Sequence, residues 1–173
     1  MPEAIATCSI RLARPEEAEL LSALAKRSKA YWGYPDEFMA ACQAELTYTP
    51  EQIDAPQYTF CMCTTGGSIV GFHALLQLTA DTVELEALFV EPQHIGSGFG
   101  RKLIEHAQDH ARQLGASSLV IQGDPNAEKF YLAAGAVHSG SRESNSIACR
   151  QLPVFTISLT SKSMRHRDKV CRK

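Results

Sequence analysis

Residues 89–107, FVEPQHIGSGFGRKLIEHA, set Gly96, Gly98 and Gly100 at alternate positions just before an amphipathic run. Glycine loses more conformational freedom on folding than any other residue, so three this close point to a backbone that must approach something without side chains. From Gly98 onward Leu103, Ile104, Ala107, Ala111 and Leu114 recur on one helical face, and Gly115 follows as a left-handed terminator. Backbone N–H groups leading into the positive end of a helix form a ready site for a pyrophosphate.

Spacing separates this loop from three better-known glycine motifs. A dinucleotide fingerprint needs glycine where Arg101 stands. A nucleoside-triphosphate loop needs Lys and then Ser or Thr after its last glycine, and the chain offers Arg101-Lys102-Leu103. A hydrolase elbow needs glycine on both sides of Ser97, at the places held by Ile95 and Phe99.

Before the loop, residues 7–13 read as a strand. A helix follows to about Ala30, with Pro15 in its first turn, and then a second helix carries Phe38, Met39, Cys42 and Leu46. Residues 57–78 have the pattern of a hairpin around Gly66-Gly67. The strand ending in Val90 alternates Glu84, Glu86, Leu88 and Val90 on one face with Leu85, Ala87 and Phe89 on the other. After the loop helix come a short buried strand, a helix capped by Asp124 and ended by Gly135, and two strands separated by a polar loop over 141–152.

The chain has 173 residues, 45% hydrophobic and 21% charged, with a formal charge of −2, which is the balance of one ordinary globular domain. Nothing in it suggests a nucleic-acid or membrane partner. Residues 161–173 hold six Lys or Arg against one Asp, leaving −7 for residues 1–160. The expected organisation is therefore a domain over 1–160 and a solvated basic tail over 161–173. The start lacks the pattern of a signal peptide, so a cytoplasmic location and six reduced cysteines are expected.

Gln93-His94-Ile95-Gly96-Ser97-Gly98 resembles the Gln/Arg-x-x-Gly-x-Gly/Ala signature of the GCN5-related N-acetyltransferases, the GNAT family. The preceding LFVEP and the later NAEKFYLAAGA resemble the same family's strand ending and late helix, although Ala136 replaces the usual aromatic after Gly135. The resemblance covers about residues 8–159. It implies the α/β GNAT acyl-CoA N-acyltransferase fold, a mixed, mostly antiparallel sheet of about seven strands with four helices and a V-shaped splay between the fourth and fifth strands.

It also implies acetyl-CoA as co-substrate, no metal, and transfer of acetyl to a primary amine of a small molecule or protein. A different acyl-CoA, or a coenzyme-A-binding sensor without catalysis, are the alternatives. The acceptor and pairing with a second copy, a homodimer, are left open. The resemblance assigns the pyrophosphate to His94, Ile95, Gly96, Ser97, Gly98, Phe99, Gly100 and Arg101, and the pantetheine arm to the backbone of Leu88, Phe89 and Val90, with Asn126 and Lys129 beside them. The N–H of Phe89 or Val90 would stabilise the oxyanion, and Tyr131 would protonate the departing thiolate.

An amine attacks as the free base, and removing a proton from a group with pKa about 10.4 costs roughly 4 to 5 kcal/mol at pH 7. Glu86 is the candidate base, directly or through water, with Glu84 second. Other constellations are weaker. His106 and His110 have the spacing of a zinc helix, but Ala107 stands where a catalytic Glu would be and no third ligand is near in the sequence, so no metal site is expected. Cys61 and Cys63 share a strand face and are expected in the core. Tyr31–Tyr34 is expected to form acceptor-pocket wall, and Arg150 is a candidate anchor for an acidic group of the acceptor.

Overall fold

A computed structural model describes residues 7–160, and the expected basic tail at 161–173 lies outside the described residues. The hairpin forms as its turn chemistry requires. Strands β2 (Tyr58–Thr65) and β3 (Ser68–Gln77) pair antiparallel, with Gly66 and Gly67 at φ of 55° and 81°, a backbone that side chains disfavour. Strand β1 (Ser9–Leu12) adds to β2, and β4 (Thr82–Val90) adds to β3. Strand β5 (Ser118–Gln122) runs parallel to β4, and β7 (Gln151–Ser158) and β6 (Val137–Glu143) complete a seven-stranded sheet of order β1-β2-β3-β4-β5-β7-β6.

Five α-helices flank it among the described residues: α1 (Ala18–Ala30), α2 (Asp36–Ala41), α3 (Pro50–Asp54), α4 (Phe99–Gln113) and α5 (Glu128–Ala133). Four are expected from the sequence pattern. The extra one is the single turn α3, started by Pro50 and capped by Thr49, whose side chain accepts the Gln52 N–H at 3.1 Å. Strand β6 also continues to Glu143, so the connection to β7 is shorter than the polar run over 141–152 suggests. None of these helices is long and apolar enough to cross a membrane.

Two layers of core lie on opposite faces of the sheet. On one, Leu21, Leu24 and Ala25 of α1 pack with Phe60, Met62 and Phe72. On the other, Leu103, Ile104, Ala107 and Ala111 of α4 pack with strand residues that include Val83, Leu85 and Val90. Helix α4 comes so near the sheet that a Cβ on Gly71 would lie 2.9 Å from Leu103 Cδ1 and 2.8 Å from the Phe89 carbonyl, which is why no side chain stands there.

One expected face assignment is corrected. The β3–β4 register jumps from Ala74↔Ala87 to Leu75↔Leu85, leaving Glu86 as an extra, unmatched residue. A bulge of this kind reverses the alternation beyond it. Leu85 therefore joins the α4 layer while Ala87 and Phe89 join the α1 layer, and Leu88 and Val90 turn toward α4. The cysteines also depart from expectation: Cys8 and Cys63 form a disulfide that ties the segment before β1 to β2, whereas Cys42, Cys61 and Cys149 are free thiols.

Candidate active site

The parallel pairing of β4 with β5 ends at Leu85↔Ile121, one residue before the bulge at Glu86. From there β5 continues along β7 to Gln122↔Val154, while β4 stays with β3. The two strands separate, and residues 86–90 of β4 have no neighbour on that side. Glu91 donates its N–H to the Val70 carbonyl at 2.8 Å, so by antiparallel alternation Phe89 also pairs with β3. The backbone groups of Leu88 and Val90 then face the gap. Of the two amides expected to serve an oxyanion, Val90 is the one presented and Phe89 is committed to the ladder.

Beyond β4 the chain turns through Pro92–His94 into the glycine loop. Glu91 is buried and ion-paired with Arg27 of α1, which anchors the start of that loop. Gly96 and Gly98 have φ of 87° and 88°, so glycine is required there by the left-handed backbone, and a Cβ at either position would meet no atom within 4 Å. Ser97 donates its N–H to the His94 carbonyl, and Lys102 is the first residue of α4 to bond back to the loop, at Gly98. The N–H groups of Gly96, Gly98, Phe99, Gly100 and Arg101 find no acceptor among the described residues. These groups cluster at the positive end of α4, and they fit a pyrophosphate.

The gap opens into a cavity of about 740 Å³. Leu88, Phe89, Val90, His94 and Ile95 line it, as do Gly96, Gly98, Gly100, Arg101 and Asn126. Glu84, Glu86 and Tyr131 line it too. Three residues expected at the cofactor do not. The Phe99 side chain is buried against Val90 and Leu103, Ser97 is exposed with its N–H spent, and Lys129 is exposed on α5 away from the cavity. Gly100 also answers to packing, since a Cβ there would stand 3.2 Å from the Phe130 ring.

Tyr131 is only 7% exposed, and burial, followed by the charge of Asp124, raises its pKa well above the ordinary tyrosine value. It therefore stays protonated as a donor. Glu86 is pushed up to about 7, first by desolvation and then by the charges of Glu84 and Glu45, with Arg142 acting in the opposite direction. Glu84 accepts a hydrogen bond from Arg142 Nη1 at 3.3 Å, whereas Glu86 makes no ion pair among the described residues. Glu86 is thus the carboxylate with a free lone pair and an affinity for protons near neutrality.

The rest of the wall comes from residues that the sequence did not single out. Glu45, Leu46 and Tyr48 enter from the segment between α2 and α3, and Arg142 and Asn145 from the β6–β7 region. Trp32 of the Tyr31–Tyr34 segment lines the cavity as expected. Tyr34 instead donates to Asp124 Oδ2 at 2.7 Å and accepts from Asn126 Nδ2 at 2.9 Å and Arg150 Nη2 at 3.2 Å. Arg150, stacked 4.7 Å from the Phe38 ring, is therefore part of this strut and does not line the cavity. Burial pushes the Asp124 carboxyl up, but the bonds from Tyr34 and the Asn126 amide and the Lys29 charge outweigh it and hold it below the usual range. No sequence signal marks Glu45 or Arg142, because nothing local to either relates it to the glycine loop.

Relatives agree with this architecture. The chain is 36% identical over 70 residues to streptothricin acetyltransferase of Streptomyces lavendulae, a match covering 40% of this chain and 37% of that protein. The chain thus spans well under half the length of this relative. The structure resembles a GCN5-related N-acetyltransferase from Rhodopseudomonas palustris at a TM-score of 0.73 and 24% identity, over 90% of this chain and 98% of that one. It resembles the PaiA N-acetyltransferase of Thermoplasma acidophilum, solved with coenzyme A, at 0.72 and 19% identity, over 88% and 99%. A family model described as "Acetyltransferase (GNAT) family" matches residues 19–136, the stretch that holds the splayed strands, the glycine cradle and Tyr131. By that match over most of its length, the chain belongs to the acetyltransferase (GNAT) family.

Proposed function

We propose that this protein transfers the acetyl group of acetyl-CoA to a primary amine across the β4–β5 gap. The observation that carries the reading is the unpaired backbone of β4 running directly into an N–H cradle at the start of α4. Extended amides can add to the free edge of β4 as a strand would, and a pyrophosphate can sit on the cradle. That PaiA was solved with coenzyme A supports coenzyme A as the ligand. Acetyl as the transferred group is supported by the naming of streptothricin acetyltransferase.

Bound there, the thioester supplies an activated acyl carbon. Val90 N–H is positioned to donate to the carbonyl oxygen as negative charge develops on it. Glu86 accepts the proton that the acceptor's ammonium must lose before the free amine attacks, directly or through water, and its pKa of about 7 suits that task. Tyr131, kept protonated by its surroundings, donates to the departing sulfur. At the acceptor end Glu45, Glu84 and Glu86 outnumber Arg142, and Lys29 is ion-paired with Asp124, which favours a cationic amine over an acidic one.

The test is thiol release from acetyl-CoA with a panel of amines, alongside calorimetric binding of coenzyme A. Release with at least one cationic amine is expected. Firm coenzyme A binding with no release on any amine would instead favour a sensor, and faster release with propionyl-CoA would favour a longer acyl donor.

A further inference from the structure

The zinc-like spacing of His106 and His110 acquires a different meaning in three dimensions. No third ligand is near in the sequence, but two strands bring candidates to His106. Cys61 of β2 and His73 of β3 are register partners across the hairpin, and α4 lays His106 over them on the face opposite α1. One ligand atom from each of the three lies within 4.8 Å of the other two.

His73 is 0% exposed and Cys61 2%, while His106 is half-buried. Buried polar atoms nearly always have a partner, yet His73 Nδ1 has none, alone in this respect among the described residues. Its Nε2 lies 2.9 Å from His106 Nδ1. A thiol and two imidazoles converging at a point inside an otherwise apolar layer are the donor set of a borderline-soft ion.

We propose that Cys61, His73 and His106 form a metal site, with Zn²⁺ as the ion that fits it best. Zinc bonds of about 2.0–2.3 Å separate neighbouring ligand atoms by roughly 3.3–3.6 Å. The three ligand atoms, which lie within 4.8 Å of one another, come to that spacing by side-chain rotation about the ion. A neutral imidazole presents one lone pair to an ion, so each ring can supply one ligand atom. The Cys61 thiol exchanges its proton for the metal, and that proton leaves to solvent. His110 stands one turn on from His106, with its ring 6.1 Å away. The role is structural, because the ion pins α4 to the β2–β3 hairpin and none of its three ligands lines the cavity.

The experiment uses the full chain, treated with a chelator and titrated with Zn²⁺ in competition with a chromogenic chelator. One tightly bound equivalent is expected, with affinity reduced at least tenfold in Cys61→Ser and in His106→Gln, the latter a change at a half-exposed helix position that leaves the core intact. Co²⁺ should give a thiolate charge-transfer band in the near ultraviolet that Cys61→Ser lacks, and Zn²⁺ should raise the melting temperature of the wild type only. Failure of the folded wild type to bind one equivalent, or undiminished binding in both variants, overturns the proposal and leaves the two rings as a hydrogen-bonded core pair.

Discussion

The two ends of the cavity are built differently. The donor end is backbone: the free edge of β4 and the N–H groups of residues 96–101, nearly contiguous in the chain. The acceptor end is side chains, brought from the α2–α3 segment, the bulge of β4 and the β6–β7 region. Coenzyme A presents a constant pyrophosphate and pantetheine, which main-chain groups can read. An acceptor differs from enzyme to enzyme and is read by exchangeable side chains. Substitutions at the donor end should therefore remove binding outright, while those at the acceptor end should tune rate, pH dependence and amine choice.

The largest effect is expected from Gly96→Val. A β-branched residue at a φ of 87° costs about 1–2 kcal/mol locally, which a domain of this size survives, but its side chain enters the space over the cradle. Coenzyme A affinity should fall roughly 100-fold, about 2.7 kcal/mol, with circular dichroism unchanged. Retained affinity would refute the cradle. Next, Tyr131→Phe should lower turnover by roughly 100-fold while leaving coenzyme A binding intact, as loss of a general acid does. A variant with wild-type turnover would make Tyr131 a core residue only.

At the acceptor end, a smaller effect of about tenfold in kcat/KM at pH 7 is expected for Glu86→Gln. Glu86 must be deprotonated to accept a proton, so wild-type kcat/KM should rise as pH passes through about 7, and this limb should vanish in the variant. A limb that persists would assign the base elsewhere. The mildest change is expected of Arg142→Ala. Arg142 lowers the Glu86 pKa, so its removal should move the limb to higher pH and change the KM for the amine, without altering coenzyme A affinity. Loss of coenzyme A affinity in this variant would erase the distinction between the two ends.

The same contrast explains what could be read without a structure. The hairpin turn at Gly66-Gly67, the terminators at Gly115 and Gly135, the periodicity of α4 and the cradle glycines all follow from residues within one turn or one strand of each other. The single turn of α3 leaves no periodic signal although Thr49-Pro50 mark its start, because one turn has too few apolar positions to show a period. Packing buries the Phe99 side chain, which leaves only its N–H for the cradle, and turns Lys129 outward.

The order of the strands and longer helices, the need for glycine at Gly96 and Gly98, and the N–H-rich start of α4 are legible in the sequence, since these depend on local periodicity and on one-residue spacing. Only the tertiary structure decided which face each β4 residue takes, because a bulge at Glu86 reverses the alternation and depends on the register against β3. The same is true of the pairing of Glu84 with Arg142 and of the meeting of Cys61, His73 and His106. Contacts of this kind join residues tens of positions apart, and strand register and helix docking set them, neither of which any short stretch of chain encodes.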